Sequence, residues 1–202
     1  MNYAISSDAR HISSLETTAR KRAIKHSLIH VEQGLALCRL GKIEYAIEPG
    51  QTFWIPIECL NALTFFPNTQ IIRVDFSVRL QECFPRQAGF VTLTALAGAV
   101  LQRLKTTERD NTIYSHLSQI LKAEVLDLVP NCPVSELTQQ ITSWKPNHPS
   151  DLNQEQHMVL LVREAIKRHQ SGTSINSIIS DLFQGDKDRF SQWSKVIADI
   201  TW

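Results

Sequence analysis

The fold is decided by residues 26–76, HSLIHVEQGLALCRLGKIEYAIEPGQTFWIPIECLNALTFFPNTQIIRVDF, whose centre is IEYAIEPGQTFWIP at residues 43–56. Apolar and polar residues alternate along it, which gives each strand one buried and one wet face. Turn signals cut the pattern into strands expected at residues 35–40, 43–47, 52–55, 62–66 and 71–76. Gly41-Lys42 and Pro67-Asn68-Thr69 supply two of the turns, and Glu48-Pro49-Gly50-Gln51 a third, in which Pro presets one φ and Gly allows a positive one. Pro56 stops the strand before it or confines it to an edge. Short strands at regular spacing indicate a closed or sandwiched all-β unit.

The segment before residue 26 is polar and sparsely apolar. It has room for one or two edge strands, and Arg20-Lys21-Arg22 reads as a solvated strand face. After Ser77 the period changes. Residues 91–104 are apolar nearly all round and read as a buried helix. Residues 109–129 read as an amphipathic helix with Ile113, Leu117, Ile120, Leu121, Val125 and Leu128 on one stripe, ended by Pro130. Residues 130–152 hold four of the eight prolines and have the composition of a linker around a short helix at residues 134–144. Three further helices are expected at residues 154–169, 175–183 and 187–200, with Gly-bearing turns between them. This gives three parts: a β unit with two outer helices at 1–129, a linker at 130–152 and a small all-α module at 153–202. The fold class is α+β.

The 202 residues carry a net charge of +1 and are 43% hydrophobic and 20% charged. That is the balance of an ordinary soluble protein, without the basic excess that marks nucleic-acid binding by composition. Residues 1–20 lack the apolar run of a signal peptide, and the apolar stretch at 91–101 is too short to span a membrane. The four cysteines, Cys38, Cys59, Cys83 and Cys132, form no CxxC pair and read as free thiols of a reducing, cytoplasmic protein.

His26, His30 and Glu32 share one strand face by their spacing and form the first candidate site. Three such side chains can converge on a metal ion, but the matching strand offers Asn61 where a further histidine is wanted, and an amide oxygen is a poor transition-metal ligand. The expectation is therefore no metal and no cofactor, with polar side chains at the barrel mouth contacting a small organic ligand or one another. Trp54 is either a ligand contact or plain core. No catalytic nucleophile or phosphate loop is visible, so no enzyme is expected. In the C-terminal module, residues 175–183 and 187–200 have the order of a helix-turn-helix, with Asp186 or Asp188 capping the second helix. Acidic and basic residues balance between 154 and 202, a poor footing for phosphate attraction.

The order of motifs resembles the sensory half of AraC-family transcription regulators: His26 and His30, Glu32-Gln33-Gly34-Leu35, Gly41, Pro49-Gly50, Phe53-Trp54-Ile55-Pro56 and Asn61-Ala62-Leu63, followed by two helices and a proline-rich stretch. The resemblance implies a cupin-like β-barrel of the jelly-roll type that binds a small-molecule effector, dimerises through its helices and passes the signal to DNA. The ligand-binding residues expected on this reading are His26, His30, Glu32, Glu44, Trp54 and Asn61, and the DNA-binding residues Lys187, Arg189, Gln192 and Lys195. Two departures stand out. Asn61 replaces a histidine of the family pattern. Phe190-Ser191-Gln192-Trp193, which resembles the start of the helix joining the family's two helix-turn-helix units, follows residues 175–183 too soon for a full recognition helix to fit between. The first unit is therefore expected to be shortened and the second missing. The partner is accordingly expected to be a second copy of the chain or a full-length relative.

Overall fold

The computed structural model describes residues 4–202. In chain order the strands are β1 (Ile5–Ile12), β2 (Glu16–Thr17), β3 (Lys21–Arg22), β4 (His26–Gln33), β5 (Ala36–Leu40), β6 (Ile43–Ile47), β7 (Thr52–Ile55), β8 (Leu60–Phe65), β9 (Thr69–Phe76) and β10 (Gly89–Val91). The helices are α1 (Ala95–Thr106), α2 (Thr112–Leu126), α3 (Glu136–Ser143), α4 (Gln154–Gln170), α5 (Ile175–Phe183) and α6 (Lys187–Ala198). The strands form two antiparallel sheets, ordered β1-β9-β4-β7-β10 and β2-β8-β5-β6, with β3 also on β8. They face one another as the two walls of a cupin-like barrel.

Alternation fills the space between the walls. Ile29, Val31, Phe53 and Ile55 from the first sheet meet Cys38, Tyr45, Ile47, Leu63 and Phe65 from the second. Each large apolar side chain buried this way contributes roughly 1.5–3 kcal/mol. The 48–51 turn that feeds β7 closes as its residues dictate: Gly50 has φ +83°, and the Gln51 N–H donates to the Glu48 carbonyl at 3.0 Å.

Both outer faces are covered as well. Leu28, Trp54, Ile72, Val74 and Phe76 of the first sheet pack against Ala97, Val100, Leu101, Leu104, Leu121 and Val125 of α1 and α2. Leu35, Leu37, Ala46 and Phe66, on and beside the second sheet, share a core with Ile141 of α3 and with α4 to α6. Arg163 of α4 fastens that layer by donating to both oxygens of Glu44, at 2.6 and 3.0 Å. The Leu15 N–H adds a bond to the Ile197 carbonyl of α6 at 2.7 Å.

Helix starts follow their caps. Thr94, Asn111, Ser135, Asn153, Ser174 and Asp186 each accept a backbone N–H of the first turn, the preference of short oxygen-bearing side chains at that position. Two expectations are corrected here. Residues 91–104 are not one buried helix: Val91 ends β10, α1 begins after Thr94, and Leu96 is 52% exposed. The stripe expected on α2 is also rotated. Ile113 and Ile120 face solvent, and Tyr114, Ser118, Leu121 and Val125 face the sheet. The reason is polar: the Ser7 N–H donates to the Tyr114 hydroxyl at 2.7 Å, drawing that side of α2 inward.

Candidate functional site

The strand face that carries His26, Leu28, His30 and Glu32 looks away from the barrel lumen and toward α1 and α2, because Ile29 and Val31 take the lumen side. His26 and Trp54 join an aromatic group with Phe84 and Phe76; the His26 and Trp54 ring centroids are 5.5 Å apart. The Ile57 N–H donates to His26 Nδ1 at 3.2 Å, and the Trp54 indole N–H donates to the Pro85 carbonyl at 2.9 Å. Trp54 is thus core. Glu32 is held by Lys105 at 2.7 Å and Gln102 at 3.0 Å, both from α1. Burial pulls its carboxyl up, but those hydrogen bonds and the charges of Lys105 and His30 outweigh it and hold it below the usual carboxylate value.

Glu44 lies on the outer face of the second sheet, under Arg163. Asn61 shares the lumen-side face of β8 with Leu63 and Phe65 and donates to the Cys59 carbonyl at 3.0 Å. The expected ligand residues are therefore divided among three surfaces rather than gathered at one mouth. Polar groups on the lumen side of the first sheet satisfy each other: the Ser27 hydroxyl donates to Asp75 at 2.6 Å and accepts from Arg73 at 3.0 Å. Cys38, Cys59 and Cys132 lie toward the lumen and its rim, where burial pushes their thiols up and keeps them protonated. Among the described residues, no group of three or more His, Cys, Asp or Glu side chains is arranged to hold a metal ion.

His30 does line a cavity, of about 910 Å³, between the edge of the first sheet and the helices. That volume is in the range of small-molecule sites. Gly50, Gln51 and Thr52 form one wall, Phe90 to Thr94 and Gly98 the second, Glu124, Asp127, Leu128 and Val129 at the end of α2 the third, and Asn131, Pro133 and Ser135 the fourth. The His30 Nδ1 and the Thr52 hydroxyl share a hydrogen bond of 2.9 Å, and burial lowers the imidazole pKa against the pull of Glu32. The Thr94 hydroxyl donates to the Glu124 carboxylate.

Two glycines shape this cavity. Gly89, with φ +157°, lets Asn131 approach so closely that a Cβ there would lie 2.2 Å from the Asn131 carbonyl oxygen. The contact is a two-way bridge, Phe90 N–H to Asn131 carbonyl at 2.7 Å and Asn131 N–H to Phe90 carbonyl at 3.0 Å. Gly98 sits inside α1, where glycine costs about 1 kcal/mol relative to alanine. A Cβ at Gly98 would meet nothing within 4 Å, and Gly98 is one of the residues lining the cavity. The sequence does not mark Glu124, Asp127 or Asn131 as neighbours of His30; only the mid-helix Gly98 was a visible irregularity.

At the other side of the molecule, α5 is followed by Gln184 in the left-handed region, Gly185, and Asp186 capping α6. Lys187, Arg189, Gln192 and Lys195 are all exposed on α6. Arg189 stacks over Trp193 at 4.3 Å, and Lys195 pairs with Asp199 at 2.6 Å.

These features define a cupin-type barrel clasped between two helical layers, with a cavity at the seam of barrel and helices. Solved structures similar to it include ToxT from Vibrio cholerae, an AraC-family regulator, at 10% identity over 98% of this chain and 96% of that one, with a TM-score of 0.44. ToxT from the same organism with an unsaturated fatty acid bound is similar at 10% identity over 99% and 94%, TM-score 0.41. A cupin-superfamily protein from Desulfitobacterium hafniense covers 38% of this chain and 71% of its own, at 10% identity and TM-score 0.35. No protein-family model and no curated protein sequence matches the chain. No helix among the described residues is long and apolar enough to cross a membrane.

Proposed function

We propose that this protein is an AraC-like, effector-responsive transcription regulator that works as a dimer and carries out no reaction of its own. The observation that carries this reading is the cavity's fourth wall. Asn131, Pro133 and Ser135 touch the cavity, and the chain runs directly from them into α3, capped by Ser135. Helix α3 in turn grips β6: the Thr138 hydroxyl accepts the Ala46 N–H at 3.1 Å and the Thr142 hydroxyl accepts the Glu44 N–H at 3.0 Å. A small molecule in the cavity touches the barrel edge and this connection at once, so its differential contacts bias the placement of α3 to α6. His30 belongs to this site. Glu32 supports it by anchoring α1.

DNA contact falls on the exposed side of α6, through Lys187, Arg189, Gln192 and Lys195. Gel-shift titration at low salt against fragments upstream of the protein's own gene tests it. A shift that weakens steeply with salt is expected, and no shift at micromolar protein sinks the DNA-binding half. A second reading is favoured by the pairing of Lys195 with Asp199 and by Asp186 and Asp188 beside Lys187, which leave α6 little net positive charge. On that reading the chain is an effector-binding partner of a larger relative, and the relative co-purifies with it.

A further inference from the structure

We infer that the cavity takes an organic cation, an amine or ammonium group on an apolar body, rather than a carboxylate. The inference rests on the effector reading above and gives it a ligand class. Glu124 and Asp127, three residues apart at the end of α2, both line the cavity, and neither has an ion-pair partner among the described residues. No lysine or arginine lines it. The carbonyl end of α2 lies in the same wall, and its last turn carries no basic residue, so the helix dipole adds to the negative potential. An anion placed here would meet two carboxylates and no basic side chain, whereas a cation would be attracted by both. Phe90, Leu93 and Leu128 give the apolar surface for the rest of the ligand.

Gly98 also borders the cavity: it costs α1 stability at a position where a Cβ would meet no neighbouring atom within 4 Å.

Isothermal titration of the full chain at neutral pH with n-octylammonium, 1-octanol and octanoate tests the inference with one chain length and three charges. The ammonium is expected to bind at least about tenfold more tightly than the other two, a difference of about 1.4 kcal/mol. The pair Glu124→Gln and Asp127→Asn is expected to remove that preference. Gly98→Phe, whose Cβ would meet no neighbouring atom within 4 Å, places a ring at the cavity wall and is expected to abolish binding with no loss of melting temperature. Octanoate or octanol binding as well as the ammonium, with Gly98→Phe still blocking, overturns the charge inference and leaves the effector cavity standing. Binding by none of the three, or binding that Gly98→Phe does not affect, overturns both.

Discussion

At His26, Nδ1 accepts the Ile57 N–H, which makes Nε2 the protonated nitrogen of the neutral ring. Burial lowers the pKa of His26 from 6.5, and the same cause acts first at His30 and at His157, whose Nδ1 accepts the Trp144 indole N–H at 3.1 Å. A histidine held below its unfolded value is neutral in both states above that value. As pH falls the unfolded chain takes the proton first, so stability is complete above 6.5 and is lost from there down through the depressed folded values. The urea midpoint is therefore expected to drop between about pH 7.5 and about pH 5.5, and His26→Phe, which keeps the ring in the aromatic group, is expected to flatten part of that drop. An unchanged slope in the variant would remove His26 from the account. On β4, Ile29 and Val31 belong inside, while Leu28 packs outward with α1 and α2 beside His26 and His30. Expecting His26, His30 and Glu32 to turn inward missed that arrangement. Gly98 makes the opposite case: Gly98→Ala is expected to raise stability by up to about 1 kcal/mol, measured by thermal melting, with no ligand present.

Among the elements, β6 is an edge strand of the second sheet, and edges need covering. Two threonines of α3 do this with side-chain oxygens, as Thr138 is fully buried and accepts the Ala46 N–H. Thr138→Val keeps the shape and leaves that N–H without an acceptor, an expected loss of about 1–2 kcal/mol in urea denaturation, together with faster hydrogen exchange at the Ala46 amide. Thr142→Val, at an exposed bond, is expected to cost less. The strands at residues 43–47 and 52–55 and the helix at 175–183 match β6, β7 and α5 because each lies between unambiguous turn residues or caps. Which side of α2 packs inward was not readable, since the decisive contact is between Tyr114 and Ser7, more than a hundred positions earlier in the chain. The rotation leaves Ile113 (47% exposed) and Ile120 (40% exposed) outward, two turns apart on one helix. If α2 is the dimer seam, the wild-type protein sediments as a dimer and Ile120→Glu as a monomer; a monomeric wild type at micromolar concentration would end that reading.

For the whole molecule, the question is how far the barrel and the C-terminal helices depend on each other. The sequence presents residues 1–129 and 153–202 as separate bodies because Pro130, Pro133, Pro146 and Pro149 bracket the stretch between them. In the folded chain that stretch contains α3, and the core on the second sheet runs without a break from Leu37, Ala46 and Phe66 into Met158, Val162, Ile178 and Phe190. Proline content records where helices stop, not whether the next one packs on the same sheet, and only tertiary contacts decide the latter. Removing residues 130–202 would strip the second sheet of its cover, exposing Leu37 and Ala46 to water and leaving the β6 N–H groups without the α3 hydroxyls. Residues 1–129 expressed alone are thus expected to aggregate or to unfold without a sharp transition. The full chain is expected to lose tryptophan fluorescence, which reports Trp54 on the barrel as well as Trp144, Trp193 and Trp202 near the helices, and far-UV helix signal along one superimposable urea curve. Two resolved transitions would mean that the helical layer separates before the barrel. Effector control would then act on an interface that opens, instead of on the position of α3 within one cooperative fold.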